Sequence, residues 1–393
     1  MQEHINQHKP GEWLRQKAWG LLLVLLMLAT AGCRTQSSGA DRLAEDSSAA
    51  RDPETNLAFN NITLEEADEQ GKTLWRVKAA QATYSPDQQT ARVKAPTGQL
   101  YQNGQPIYRI QAQEGDILRG GDRIVLRGEV VATDTQSGAV LRADQMEWQP
   151  KQDTLLLRGN LRAAHPQMKL SANQAKLFNR QRRAEVIGKV NAITEDPKLR
   201  LQTEKVIWQI KDEKVIADRP VQIQRLQGDQ ATDQANADRA EVDLVKKTAH
   251  LKQNARLTIL EPPLLISGNS LIWTVNQQTL VADQPITTLH RQQQITITAN
   301  RGRMELKPQI AYFKGNVRAN APNQANLSSD DLTWEVTSQK VTAQGNVVYV
   351  QPDPPATLRG AKAVGRLQDR TVVVSGGRVV TEIVPGQDLI PGS

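Results

Sequence analysis

Along most of this chain, apolar and polar side chains alternate, and the alternation changes phase at regular intervals. The stretch from Leu141 to Leu161, LRADQMEWQPKQDTLLLRGNL, shows the unit. Leu141 and Ala143 share one face, and Met146 and Trp148 continue it one residue out of step. Residues 149–153 are polar with a proline, which is turn chemistry. Leu155, Leu157, Gly159 and Leu161 then alternate with period two, the mark of a half-buried strand. Neighbouring side chains on a strand face opposite ways, so a phase change needs an extra residue or a corner. The stretch therefore predicts a β-hairpin whose first strand bends at Ala143.

The same unit recurs. The slot of Ala143 is filled by Ala79, Ala112, Ala172, Thr203, Ala237, Gly268, Ala299, Ser329 and Gly360, all small and about 31 residues apart. Sixteen residues after each lies a second fixed position, which is glycine in six of ten copies, as at Gly159, Gly315 and Gly345. That offset is constant, so length varies only between one hairpin and the next. A period of this size marks serially paired units and not separate globular domains. Ten hairpins predict an all-β chain of about twenty antiparallel strands, bent at matching points. Trp148, Trp208, Trp273 and Trp334 occupy every second copy, with Leu177, Val242 and Met304 between them. Two facing sheet surfaces with a shared apolar groove are expected.

The N-terminus departs from this pattern. Arg15 and Lys17 precede an apolar run over 21–28, and small residues lead to Cys33, the sole cysteine. This is a targeting segment, 1–33, with a charged region, an apolar region and a cleavage-like end. Cys33 stands where a bacterial lipobox has its lipidated cysteine. An uncleaved anchor and simple secretion remain open beside lipidation; all three put the body outside the cytoplasm. The apolar run is short of the roughly 20 residues that span a bilayer. With a single cysteine, no disulfide forms within the chain. Residues 34–56 are polar and read as a flexible tether, 57–384 as one continuous repeat body, and 385–393, with Pro391 and Gly392, as a flexible tail.

A family resemblance enters at the start of the repeats. Phe59, Ile62 and Leu64, then Gly71, then Trp75, Val77, Ala79, Ala82 and Tyr84 resemble the start of LptC, a periplasmic component of lipopolysaccharide export. The Gly-Asn units at 159–160, 315–316 and 345–346 resemble its OstA-like relatives, LptA and the N-terminal domain of LptD. The resemblance implies an elongated, twisted, open β-jellyroll whose apolar interior carries acyl chains. It implies lipopolysaccharide as ligand, with inner-membrane ABC transporter permeases and another OstA-like jellyroll as partners. On it, the strand around 59–64 faces the transporter and the strand around 371–382 the next jellyroll. The repeat region is about twice the usual LptC length and looks like the longer cyanobacterial-type form. The location implied is the periplasm, membrane-anchored through the N-terminus. Groove candidates are Trp75, Tyr84, Ile117, Trp148, Leu177, Trp208, Val215, Ala217, Trp273, Met304, Phe313 and Trp334.

Other chemistries find little support. His165, His250 and His290 are isolated near strand ends, read as solvated, and show no metal-ligand spacing. A carboxylate or amide follows the small residue in seven copies, among them Asp144, Asn173, Glu204 and Asp330. A glycosidase needs one carboxylate pair at one site, so this is a structural position, expected to bond backbone at the corner. No enzyme, cofactor or metal is expected. The formal charge of +7 comes from interspersed signs, and no nucleic-acid partner is expected outside the cytoplasm. Arg180, Arg182 and Arg183 read as a solvated turn. The competing reading is a structural or adhesive β-repeat filament of the envelope, with a filled interior and no lipid.

Overall fold

The computed structural model describes residues 57–366 apart from 167, together with 371–376 and 380–382. The targeting segment with Cys33, the tether and the tail lie outside the described residues. Twenty-eight strands, from Ala58–Ala67 to Val380–Glu382, pair antiparallel in one sheet. Counted as strand-lengths across the interruptions at the bend, each pairs with the lengths before and after it in sequence, as a meander. Seven strand-lengths are divided at the bend, so the 28 segments make twenty-one lengths, in keeping with the expected twenty.

The bend has a local cause. In six hairpins two successive residues of the second strand have positive φ, as Gly159 (76°) and Asn160 (45°) do. Pairing skips there: Leu157 faces Met146 and Arg158 faces Gln145, then Arg162 faces Arg142, so the Gly-Asn pair is a bulge opposite Asp144. Left-handed backbone suits glycine, and a β-bulge sharpens strand twist. A Cβ on Gly159 would also lie 2.3 Å from Asp144 Oδ2, which excludes any larger side chain.

Three hairpins turn the corner differently. Pro96, Pro220 and Pro285 occupy the slot of Asn160. Proline has no N–H to give the ladder. The strand stops there, separating Thr90–Lys94 from Thr97–Gln102, Lys214–Ala217 from Val221–Gln227, and Thr279–Ala282 from Ile286–His290. The next strand-length divides too, as Gln230–Ala237 and Arg239–Asp243.

The phase change in the sequence appears as burial. Ala143, Met146 and Trp148 all face inward, at 7%, 0% and 0% exposure. Leu155, Leu157 and Leu161 oppose them from the return strand. One continuous core runs from Trp75 to Val336, with a small separate cluster of Ala343, Val347 and Ala363.

Candidate functional site

The groove candidates all occupy inward-facing register positions. Trp75, Ile117, Trp148, Ala217, Trp273, Met304 and Phe313 are buried in the continuous core, as is Trp334. Tyr84, Leu177 and Val215 pack against it half-buried. Trp148, Trp273 and Trp334 are fully buried, so the interior around them is filled. Trp208 is different: it is half-buried and borders open space.

That space is a cavity of about 150 Å³, lined almost wholly by apolar side chains. Leu170, Val190 and Leu201 form one wall; Trp208, Val215 and Val242 form another. Trp208 faces Val215 across one strand pair, and Val215 faces Val242 across the next. The Trp208 indole N–H is buried and has no acceptor among the described residues, as is also true of Trp75, Trp148, Trp273 and Trp334.

The cavity mouth lies where opposite strand ends meet. Asp196 and Pro197 sit in the turn between Arg183–Thr194 and Leu199–Gln209. Lys247 sits in the turn between Arg239–Asp243 and Thr248–Ile259, at the other end of the bent strands. Lys247 Nζ nevertheless comes within 3.5 Å of Asp196 Oδ2. The bends have folded the sheet until its two margins touch, leaving a seam.

Elsewhere the seam is sealed by a buried polar network. Gln102 donates to Asp153, Tyr108 donates its hydroxyl to Asn179 Oδ1 at 3.0 Å, and Asn179 Nδ2 donates to Asp153 Oδ1 at 3.3 Å. Asp153 and Tyr108 are each 3% exposed. Burial, with the nearby Asp134 and Asp153 charges, drives the Tyr108 hydroxyl far above its ordinary pKa, so it stays a donor. Over the cavity the margins are joined by the ion pair between half-buried Lys247 and exposed Asp196. The sequence reading missed these seam residues. They sit in turns far apart in the chain, and only the folding of the sheet brings them together.

The histidines need correction. His290 is not solvated: it is 6% exposed, and its ring centroid lies 5.7 Å from that of Trp334. His250 is half-buried with Nε2 2.9 Å from Ser270 Oγ. The corner carboxylates divide: Glu204 accepts from the Lys189 backbone N–H at 3.4 Å, as expected, whereas Asp144 accepts from the Asn160 side chain. In the basic turn, Arg180 meets Asp153 at 3.6 Å and Arg183 meets Glu185 at 2.7 Å, with its guanidinium over Phe178. Among the described residues no cluster of His, Cys, Asp or Glu could hold a metal ion, and no helix is long and apolar enough to cross a membrane.

A meandering antiparallel sheet, bent at every strand and folded around an apolar interior with a lateral seam, is a β-jellyroll. The family model described as lipopolysaccharide-assembly, LptC-related, matches residues 21–156 and again 141–261, and the chain belongs to this LptC family. The family is a non-enzymatic, periplasmic part of the cell envelope, and membership carries involvement in lipopolysaccharide transport. No curated protein matches the chain. The two matches overlap at 141–156 and together reach residue 261. The same sheet continues through the unmatched residues to Glu382.

Proposed function

We propose that the chain binds lipopolysaccharide by its acyl chains in the interior, receives it from an inner-membrane ABC transporter, and passes it toward the outer membrane. The observation that carries this reading is the apolar cavity at Trp208 and Val215, with the Lys247–Asp196 ion pair at its mouth. Apolar clefts with few polar groups are the usual form of a lipid site. Acyl chains entering there would pass the Lys247–Asp196 pair at the mouth. An ester or amide carbonyl carried in with them would find the Trp208 indole N–H free to donate. The other inward candidates, Trp75 to Trp334, would extend the path where the core opens in passing.

The test is photo-crosslinking in cells. A crosslinking residue at Val215 or Trp208 captures lipopolysaccharide, and one at Asp218, on the opposite face and bound to Lys205 at 3.1 Å, does not. Equal capture at Val215 and Asp218 would sink the assignment of faces. No adduct at any inward position would favour the filament, a reading that the filled interior at Trp148, Trp273 and Trp334 otherwise supports.

A further inference from the structure

The outer face of the sheet is not electrically uniform. Just before the corner, one register position forms an unbroken cross-strand row, from Thr63 paired with Lys78 to Val348 paired with Arg359. Twenty side chains make up this row. Six are cationic, namely Lys78, Arg142, Arg162, Arg256, Arg318 and Arg359, and none is acidic. The next outward row adds Arg76, Arg109, Lys169 and Arg200. Among the residues whose side chains are described, its one carboxylate is Glu65, at the margin and paired with Arg76.

Beyond the corner the outer face is built differently. There Asp116 lies 2.7 Å from Arg127, Glu147 holds Arg123 and Arg158, and Glu241 holds Lys214 and Lys252. Those cations are neutralised within the sheet. On the first face Lys78, Arg109, Arg142, Arg162, Arg256 and Arg318 make no ion pair among the described residues. The bordering corner carboxylates Asp144, Asp238 and Asp330 are occupied by Asn160, Asn254 and Asn346. At the centre, Arg142, Arg162 and Lys169 surround an open depression of about 470 Å³.

We infer that this face is a docking surface for the peptidoglycan of the cell wall, whose stem peptides set carboxylates along its glycan strands. Like-charged, unpaired side chains at a fixed register repel one another, and a polyanion relieves that repulsion. Over the two rows together a cation falls on every second strand-length from Thr73–Tyr84 to Leu199–Gln209, through Lys78, Arg109, Arg142, Lys169 and Arg200, about 10 Å per step across the sheet, twice the strand spacing. Strands twist by about 20–25° each, so the row turns through roughly 160–200° over the eight steps from Thr73–Tyr84 to Leu199–Gln209. A flat membrane meets only a few of these strands at once, whereas a flexible polymer follows the whole row. The first row lies beside the corner, whereas the outward row ends at the seam, where Lys169 meets Glu195 beside Asp196 at the cavity mouth. The inference stands independently of the interior lipid reading through the first row, whose cations are set back from that mouth.

The test is co-sedimentation of the full-length protein, in detergent, with purified peptidoglycan sacculi. Wild type sediments, and added salt releases it. Replacing Arg109, Arg142, Arg162 and Lys169 together with Gln lowers binding about ten-fold, and Arg142→Gln alone lowers it two- to three-fold. The control pair R127Q and R158Q, on the neutralised face, binds as wild type, with thermal melting confirming the fold of each variant. Failure of wild type to sediment, or full binding by the fourfold variant, overturns the proposal. Preferential binding to phosphatidylglycerol vesicles through the same four residues also overturns it, in favour of a membrane surface. Lipid crosslinking at Val215 is unaffected by any of these outcomes.

Discussion

Asn160 Nδ2 donates to Asp144 Oδ2 at 2.8 Å, tying the two strands of a hairpin together at their shared corner. The same bond joins Asn254 to Asp238 at 2.6 Å and Asn346 to Asp330 at 2.8 Å, each pair sixteen residues apart. The carboxylate lies over the glycine that precedes each of Asn160 and Asn346, and so couples the bulge to the opposing strand.

Gly159→Ala is expected to destabilise the fold by about 2 kcal/mol or more, because it adds left-handed strain to a steric clash with Asp144. Asp144→Ala removes only an exposed hydrogen bond and costs about 1 kcal/mol or less. The double variant should recover part of the glycine penalty, since the clash disappears with the carboxylate. Urea denaturation midpoints of the three variants measure this. A Gly159→Ala variant as stable as wild type would contradict the corner geometry.

The tryptophans separate into two kinds. Trp148→Ala empties a filled core and should cost about 3–5 kcal/mol. Trp208→Ala enlarges an existing cavity beside a half-buried ring and should cost clearly less. Equal losses in thermal denaturation would mean that the cavity at Trp208 is closed in solution.

The seam over the cavity is weakly held. Lys247→Glu turns an attraction into a repulsion with Asp196 and should speed the uptake of a fluorescent fatty acid. The charge-swapped pair K247E and D196K should restore the slow rate. Stability should change by no more than about 0.5 kcal/mol, as for other exposed ion pairs. Stopped-flow fluorescence distinguishes these outcomes, and identical uptake in all three proteins would remove the pair from the entry route.

Acid should weaken the fold through His290. Burial holds its pKa below the ordinary 6.5, while Nδ1 accepts the Gln293 N–H at 3.1 Å. Below 6.5 the unfolded chain binds a proton that the folded chain refuses, so stability falls with pH until the lowered folded pKa is passed. His250, lowered by burial and by Lys252, acts with the same sign. The lowered Glu241 and Glu335 titrate separately, below 4.5. A His290→Gln variant should show a flatter stability profile just under pH 6.5, followed by urea midpoints at stepped pH. An unchanged slope would place the histidine in solvent.

The open margins are expected to carry partner contacts. Thr371–Ser375 and Val380–Glu382 pair only with Pro355–Arg366 among the described residues, leaving a strand edge free. Deleting 371–393 should abolish capture of an OstA-like jellyroll while leaving the circular dichroism spectrum of the sheet intact. Normal capture by the truncated protein would move that contact elsewhere.

Much of this was legible in the sequence because period-two alternation reports burial directly. The step from Ala143 to Met146 predicted the bend, and the small residue every thirty or so positions predicted the stack. The Gly-Asn pairs were visible, but their bond to Asp144 was not, because it depends on bulge geometry. Pro96, Pro220 and Pro285 fell in the same slot as Asn160, yet alternation alone does not distinguish a bulge from a break. The seam and the cationic rows were hidden for a different reason. Asp196 meets Lys247, and Arg142 meets Arg162, only through register and closure, which local pattern does not encode.

The meander has a consequence for how such a protein changes over time. Because every strand-length pairs only with its sequence neighbours, a hairpin gained or lost by duplication or deletion leaves both terminal strands untouched. Each such event alters reach by about 10 Å, two strand spacings. The gene thus holds an adjustable ruler, graduated in hairpins, whose fittings at either end need not evolve with its length.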